Sequence, residues 1–210
     1  MVNKLQKLVN EYCETYGKQL DRFLQYYPRL MSRPEKLIHD IAWGRTANGK
    51  IHRHQWRVRR KTKETVEKLL KDKWEDIMSR DTLSFEDLMN IFMPIKGVGQ
   101  LYAYDAALRL GECFGVKPEK VYLHRGALDG AKALLGRDKI RGRTYVNMEE
   151  LPLELQCLAP YHVENFLCIY KEKLVSSNDT GDVRSCYNAD DEDDSAGEKM
   201  MYKSLCKAFC

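Results

Sequence analysis

The 210-residue chain has no apolar run approaching the roughly 20 residues that a bilayer-spanning helix needs, which argues against a helical membrane protein. Its first residues, Met1-Val2-Asn3-Lys4-Leu5, lack the apolar core of a signal peptide, and the expectation is a cytoplasmic protein with no membrane partner. Seven cysteines are present but no C-x-x-C pair. Cys13, Cys113, Cys157 and Cys168 are isolated, and Cys186, Cys206 and Cys210 have no nearby histidine. That spacing fits no common zinc or iron–sulfur pattern and points to reduced thiols rather than a metal site. His52-x-His54 projects to one side only in an extended strand, and no carboxylate or cysteine accompanies the pair at useful spacing. A third ligand would have to come from His39, His124 or His162. Cys168 and His162 are the one thinkable nucleophile–base pair, on what reads as a core helix.

Charge is present in ordinary amount (31% Asp, Glu, Lys and Arg) but is unevenly placed. Residues 178–198 hold eight acids and one arginine, whereas residues 1–177 carry a net charge of +8. A basic body with an acidic tail suits a protein that meets a polyanion.

Hydrophobic spacing predicts a predominantly α-helical chain. Leu5, Leu8, Val9, Tyr12, Tyr16, Leu20, Phe23 and Leu24 lie at helical intervals and predict one long helix over about 3–26. Ser32-Arg33-Pro34-Glu35 opens a second, to about Trp43. Residues 44–60 read as a basic irregular stretch with an Asn48-Gly49 turn, followed by a helix over about 63–79. Ser84-Phe85-Glu86-Asp87 caps a short helix ending near Met93, and another spans about 99–114. Pro118-Glu119 predicts a helix to about Leu135, residues 137–150 a loop, and two short helices lie near 152–158 and 160–173. The expected organisation is a compact all-α multi-helix domain over 1–175. A largely disordered acidic tail over 176–210 follows, with at most a brief helix at 198–209.

The most informative stretch is Ile95-Lys96-Gly97-Val98-Gly99-Gln100-Leu101, an apolar-x-Gly-apolar-Gly turn between two predicted helices. Two glycines one residue apart let the backbone approach a ligand, and the following helix presents its first N–H groups at the same place. Such a turn can hold a phosphate oxygen through main-chain amides alone. The plainer alternative is a helical turn whose glycines serve close packing.

Residues 85–114 resemble the helix-hairpin-helix motif of DNA-binding proteins. The resemblance implies sequence-independent contact of hairpin amides with DNA phosphates, often assisted by a monovalent cation. Carried over, the contacting residues are Lys96, Gly97, Val98, Gly99, Gln100 and Leu101. The same hairpin occurs in base-excision DNA glycosylases, to which the chain is distantly similar. Their lyase lysine would fall at Leu101 and their essential aspartate at Tyr122, within Val121-Tyr122-Leu123-His124-Arg125. A phenol cannot replace a carboxylate that stabilises positive charge, so the resemblance supplies no catalytic residue. Gly49-Lys50-Ile51-His52-Arg53-His54-Gln55-Trp56-Arg57, the hairpin, 118–124 and 166–171 also resemble blocks of an uncharacterised bacterial protein group.

A second candidate element precedes the hairpin. Lys50, Arg53, Arg57, Arg59, Arg60, Lys61 and Lys63 place seven cations in fourteen residues, with Trp56 interleaved. Cations there can neutralise phosphates while Trp56 stacks on a base; a solvated basic loop is the competing reading. Tyr122, His124 and Arg125, read as one helical turn, with Asp129 beyond, form a possible polar cluster. The function expected is sequence-independent DNA binding through the hairpin and the segment Lys50, Arg53, Trp56, Arg57, Arg59, Arg60 and Lys61. The alternatives are a divergent nucleic-acid-processing enzyme and a protein-interaction module.

Overall fold

A computed structural model describes residues 4–52 and 55–175. The acidic tail at 176–210, the helix expected at 198–209, Arg53 and His54 lie outside the described residues. The described chain is mostly helical, and no helix in it is long and apolar enough to cross a membrane.

The N-terminal helix expected over about 3–26 is a helical run in three parts: α1 (Lys4–Tyr12), a π-helical segment (Cys13–Gly17) and α2 (Lys18–Leu24). After a 3-10 turn (Pro28–Leu30) come α3 (Pro34–Trp43), α4 (Arg60–Met78), α5 (Phe85–Phe92) and α6 (Gln100–Glu112). α4 therefore begins three residues earlier than its apolar spacing predicts, and this puts Arg60 and Lys61 in a helical first turn. The helix predicted from Pro118 does not form there. Val121–Tyr122 (β1) pairs antiparallel with Tyr145–Val146 (β2), in the register Val121 to Val146. Both valines are completely buried, and β-branched and aromatic side chains suit a pleated pair better than a helix turn. Between them lie α7 (Arg125–Leu135) and α8 (Arg137–Ile140), and after them a 3-10 turn (Met148–Glu150), α9 (Leu153–Gln156) and α10 (Pro160–Leu174).

Two apolar clusters organise these elements. One joins the end of α2 with α3, α4, α5 and α6, through Leu37, Ile41, Val66, Leu70, Leu88 and Phe92 among others. The small face of α6, made of Ala103, Ala106 and Ala107, is fully buried in it. The other joins α1, the β pair, α7, α9 and α10. Its closest approach is between α7 and α10, where Gly126 and Gly130 lie one turn apart. A Cβ at Gly126 would overlap Cys168 Sγ, and one at Gly130 would overlap the Leu167 backbone carbonyl. A polar knot ties α1 and α2 to α10 across the π segment. His162 Nδ1 is 2.9 Å from the Tyr12 hydroxyl, and His162 Nε2 is 3.1 Å from Asp21 Oδ1. The Tyr161 hydroxyl donates to the same Asp21 oxygen (3.0 Å), and Asn165 donates to Tyr12 (3.2 Å).

Two outcomes follow from this packing. Gly130→Ala must push α10 away from α7 through rigid backbone, and should cost about 3 kcal/mol in urea denaturation; a loss below about 0.5 kcal/mol would contradict the contact. Burial holds His162 below the ordinary histidine pKa despite the opposing pull of Asp21. The unfolded chain then binds more protons than the folded one just below about pH 6.5. Stability should therefore fall as pH drops from 7.5 to 5.5, and His162→Gln should shrink that fall; an equal fall in the variant would refute it.

Candidate nucleic-acid interface

Within the helical pair α5–α6 the two N-termini are finished differently. At the start of α5, Ser84 and Asp87 form a reciprocal capping box: the Ser84 hydroxyl accepts from the Asp87 amide (3.0 Å) and Asp87 Oδ2 accepts from the Ser84 amide (2.9 Å). At the start of α6 the N-cap is Gly99, with no side-chain cap and no acidic residue in the first turn. Gly99, Gln100 and Leu101 thus present amides that have no intrahelical acceptor. Gly99 accepts from Ala103 through its carbonyl (3.0 Å), so the helix itself is properly begun.

The fold explains one glycine and not the other. Gly97 has φ +91°, a left-handed conformation that favours glycine, and a Cβ there would come within 2.6 Å of Thr62 Oγ1. Gly99 has φ −99° and open space where a Cβ would stand, so packing does not require it. Lys96, Gly97, Gly99 and Gln100 are exposed. Val98 and Leu101 are half-buried, and Val98 packs on the first apolar cluster, so these two offer backbone rather than side chain. The hairpin is open to solvent.

The contact of Gly97 with Thr62 brings a second helix start to the same place. Thr62 lies in the first turn of α4, whose N-cap is Arg59; this helix too has no side-chain cap and no acid in its first turn. Arg59, Arg60 and Lys61 are exposed there, while Thr62 and Lys63 are buried. Cations at a helix N-terminus oppose the helix dipole, typically by 0.3–1 kcal/mol each. Arg60 recovers part of this through Glu64 one turn on (2.7 Å). Lys61 has no such partner among the described residues. Two helix starts without side-chain caps, that of α4 basic, therefore converge on one exposed turn.

The segment leading into α4 is anchored from below. Gln55 is completely buried, and its Nε2 donates to Asp105 Oδ2 on α6 (3.2 Å); Asp105 in turn faces the buried Arg109 (3.7 Å). The next residue, Trp56, is 62% exposed while its indole N–H donates to the Ile51 carbonyl (2.9 Å), which fixes the ring at the surface. Arg57 is exposed beside it. Lys50 sits further off, on the Asn48-Gly49 turn closed by the Arg45–Ile51 bridge.

The other sequence candidates do not assemble. Tyr122 and His124 are not on one helical turn with Arg125: Tyr122 is on β1, His124 is the N-cap of α7, and both rings pack with Tyr104. Asp129 is exposed and pairs with Lys132. His162 is engaged by Tyr12 and Asp21, while Cys168 lies against Gly126, so they form no nucleophile–base pair. Among the described residues no group of three His, Cys, Asp or Glu is placed to hold a metal. Sequence reading missed Thr62 as the residue that docks the hairpin onto α4, because a threonine inside a basic run carries no signal of burial.

The uncapped ends make a prediction about the ligand-free protein. Gly99→Asp installs a capping carboxylate where the backbone already suits it, and Lys61→Glu reverses an unfavourable charge. Each should raise the unfolding free energy by about 0.3–1 kcal/mol, read from urea midpoints at low salt. Destabilisation by both would mean that these ends are already satisfied.

No family model matches this chain, and neither a curated protein nor a solved structure matches it, so the arrangement stands on its own geometry.

Proposed function

We propose that this protein binds DNA through its phosphate backbone without reading base sequence, using the turn at residues 95–101 as a helix-hairpin-helix element and the start of α4 beside it. The observation that carries the reading is the pair of helix N-termini left uncapped and flanked by Lys96, Arg59, Arg60 and Lys61 at an exposed glycine that packing does not require. Natural helices place carboxylates at such ends; cations there cost stability unless an anion arrives. A phosphodiester oxygen supplies that anion and accepts from bare amides at the same time. Val98 and Leu101 are half-buried and offer backbone, so the contact rests on main-chain amides and phosphates, which carry no base information. A monovalent cation bridging hairpin carbonyls to a phosphate is compatible with this chemistry and is part of the proposal only through the resemblance.

Trp56 adds a sequence-tolerant contact. Its indole is fixed at the surface between Arg57 and the Lys50 turn, where a base or sugar can lie on the ring. Arg53, in the same run, belongs to the proposed surface by sequence alone.

The test is fluorescence anisotropy with duplexes of unrelated sequence over a salt series. Wild type should bind them alike, with affinity falling linearly in log salt. Gly99→Asp, folded and at least as stable as wild type, should weaken binding by about tenfold or more, because it fills the amides and repels the phosphate. Replacing Arg57, Arg59 and Arg60 together by alanine should flatten the salt slope. A well-folded Gly99→Asp protein with unchanged affinity would remove the hairpin from the account.

A further inference from the structure

On the flank of α4 facing α3, the structure holds a cation with no counter-charge. Lys63, the fourth residue of α4, is only 4% exposed. Its ammonium lies 5.7 Å from the centre of the Trp43 ring, a contact that offsets part of its desolvation. Helical spacing offers it one carboxylate, Glu67, four residues on. That carboxylate is already taken: Oε2 accepts from Trp43 Nε1 (2.7 Å) and from His39 Nδ1 (3.2 Å), and Oε1 pairs with Lys71 (3.2 Å). Lys71 also reaches Glu35 (2.9 Å). No ion pair joins Lys63 to an acid among the described residues.

A second cation, Arg45, is near enough to oppose its charge. Arg45 Nε donates to His39 Nε2 (3.2 Å), and Arg45 Nη1 donates to the Gly49 carbonyl (2.7 Å). The two nitrogens of His39 thus face Arg45 and Glu67, and the ring offers Lys63 no negative charge. The cluster of Arg45, Lys63 and Lys71 faces only Glu67 and Glu35, and one positive charge is left over on the Lys63–Arg45 side. Burial and the Arg45 guanidinium together hold the Lys63 amine below the ordinary lysine value. The Lys63 ammonium has no hydrogen-bond partner among the described residues, yet it is not wholly sealed from solvent.

We infer that Lys63 and Arg45 form a second phosphate-binding site. It takes a phosphodiester oxygen of the same nucleic acid whose backbone meets the hairpin, and it rests on that reading of the hairpin. Lys63 adjoins Thr62, the residue on which Gly97 packs, so one turn of α4 carries both sites on adjacent faces. An anion between the two cations supplies the missing charge and restores the amine to its ordinary basicity. Lys63 adds a point charge, whereas Arg45, already clamped by His39 and Gly49, adds a directed donor.

The experiment uses the full chain and three proteins: wild type, Lys63→Met and Arg45→Gln. Lys63→Met keeps the apolar stem and removes the uncompensated charge, so the ligand-free melting temperature should hold or rise. Duplex affinity should fall several-fold at about 0.1 M salt, and the slope of log affinity against log salt should become shallower by about 0.9, the value of one phosphate contact. Arg45→Gln should weaken binding in the same direction. Unchanged affinity and slope in both variants, with Gly99→Asp still defective, overturns this site and leaves the hairpin reading standing. A Lys63→Met protein that is markedly less stable also overturns it, because the ammonium would then be satisfied within the fold. Orthophosphate is the second arm. If wild type binds no duplex, yet orthophosphate raises its melting temperature and not that of Lys63→Met, the site takes a free phosphate and the hairpin reading fails. No response to either probe overturns both.

Discussion

Two helix starts meet at the contact of Gly97 with Thr62, and neither is neutralised from within the protein. Each exposes three or four main-chain donors and the positive end of a dipole. The protein caps α5 with a full Ser84–Asp87 box fifteen residues before Gly99, whereas α3, α7 and α10, like α4 and α6, begin without a side-chain cap. At α4 and α6 it places arginine, lysine and glycine instead. What marks these two starts is that they meet, beside Lys96, Arg59, Arg60 and Lys61, at one exposed turn. On the proposed reading, the stability forgone there returns as binding energy when a phosphate arrives.

The rest of the molecule holds those two ends in register. The alanine face of α6 lets α5 and α3 approach closely, and Tyr102 ties α6 to the end of α3 by donating to the Ala42 carbonyl at 2.6 Å. Gln55 fastens the basic segment to Asp105, on the same helix that begins at Gly99. The segment that carries Trp56 is thus tied, through Gln55, to the helix that the hairpin opens. The second apolar cluster, with its α7–α10 contact through Gly126 and Gly130, lies outside this arrangement.

Much of this was legible in the sequence. Periodic apolar residues located α3, α5, α6 and α10 within a few positions, because each buries one face against a single cluster. The tight turn between α5 and α6 was legible because glycine spacing and flanking helices are local features. The start of α4 was not, since Arg59 to Lys61 carry no apolar signal and the helix is extended there by the docking of Thr62. The β pair was missed because Pro118-Glu119 reads as a helix start, whereas the extended form of Val121-Tyr122 is decided by residues more than twenty positions away. Nor could spacing alone show that Glu67 is claimed by Trp43, His39 and Lys71, leaving Lys63 without an acid. That depends on which face of α3 meets α4.

The central claim concerns specific amide protons, and those can be watched one by one. In a ¹⁵N-resolved NMR titration of the full chain with a short duplex at low salt, the account predicts the largest shifts at the amides of Gly97, Gly99, Gln100 and Leu101, followed by those of Arg60, Lys61 and Thr62. All of them should reverse on adding salt. Shifts confined to other surfaces, or a duplex that leaves these amides unmoved while binding elsewhere, would contradict it.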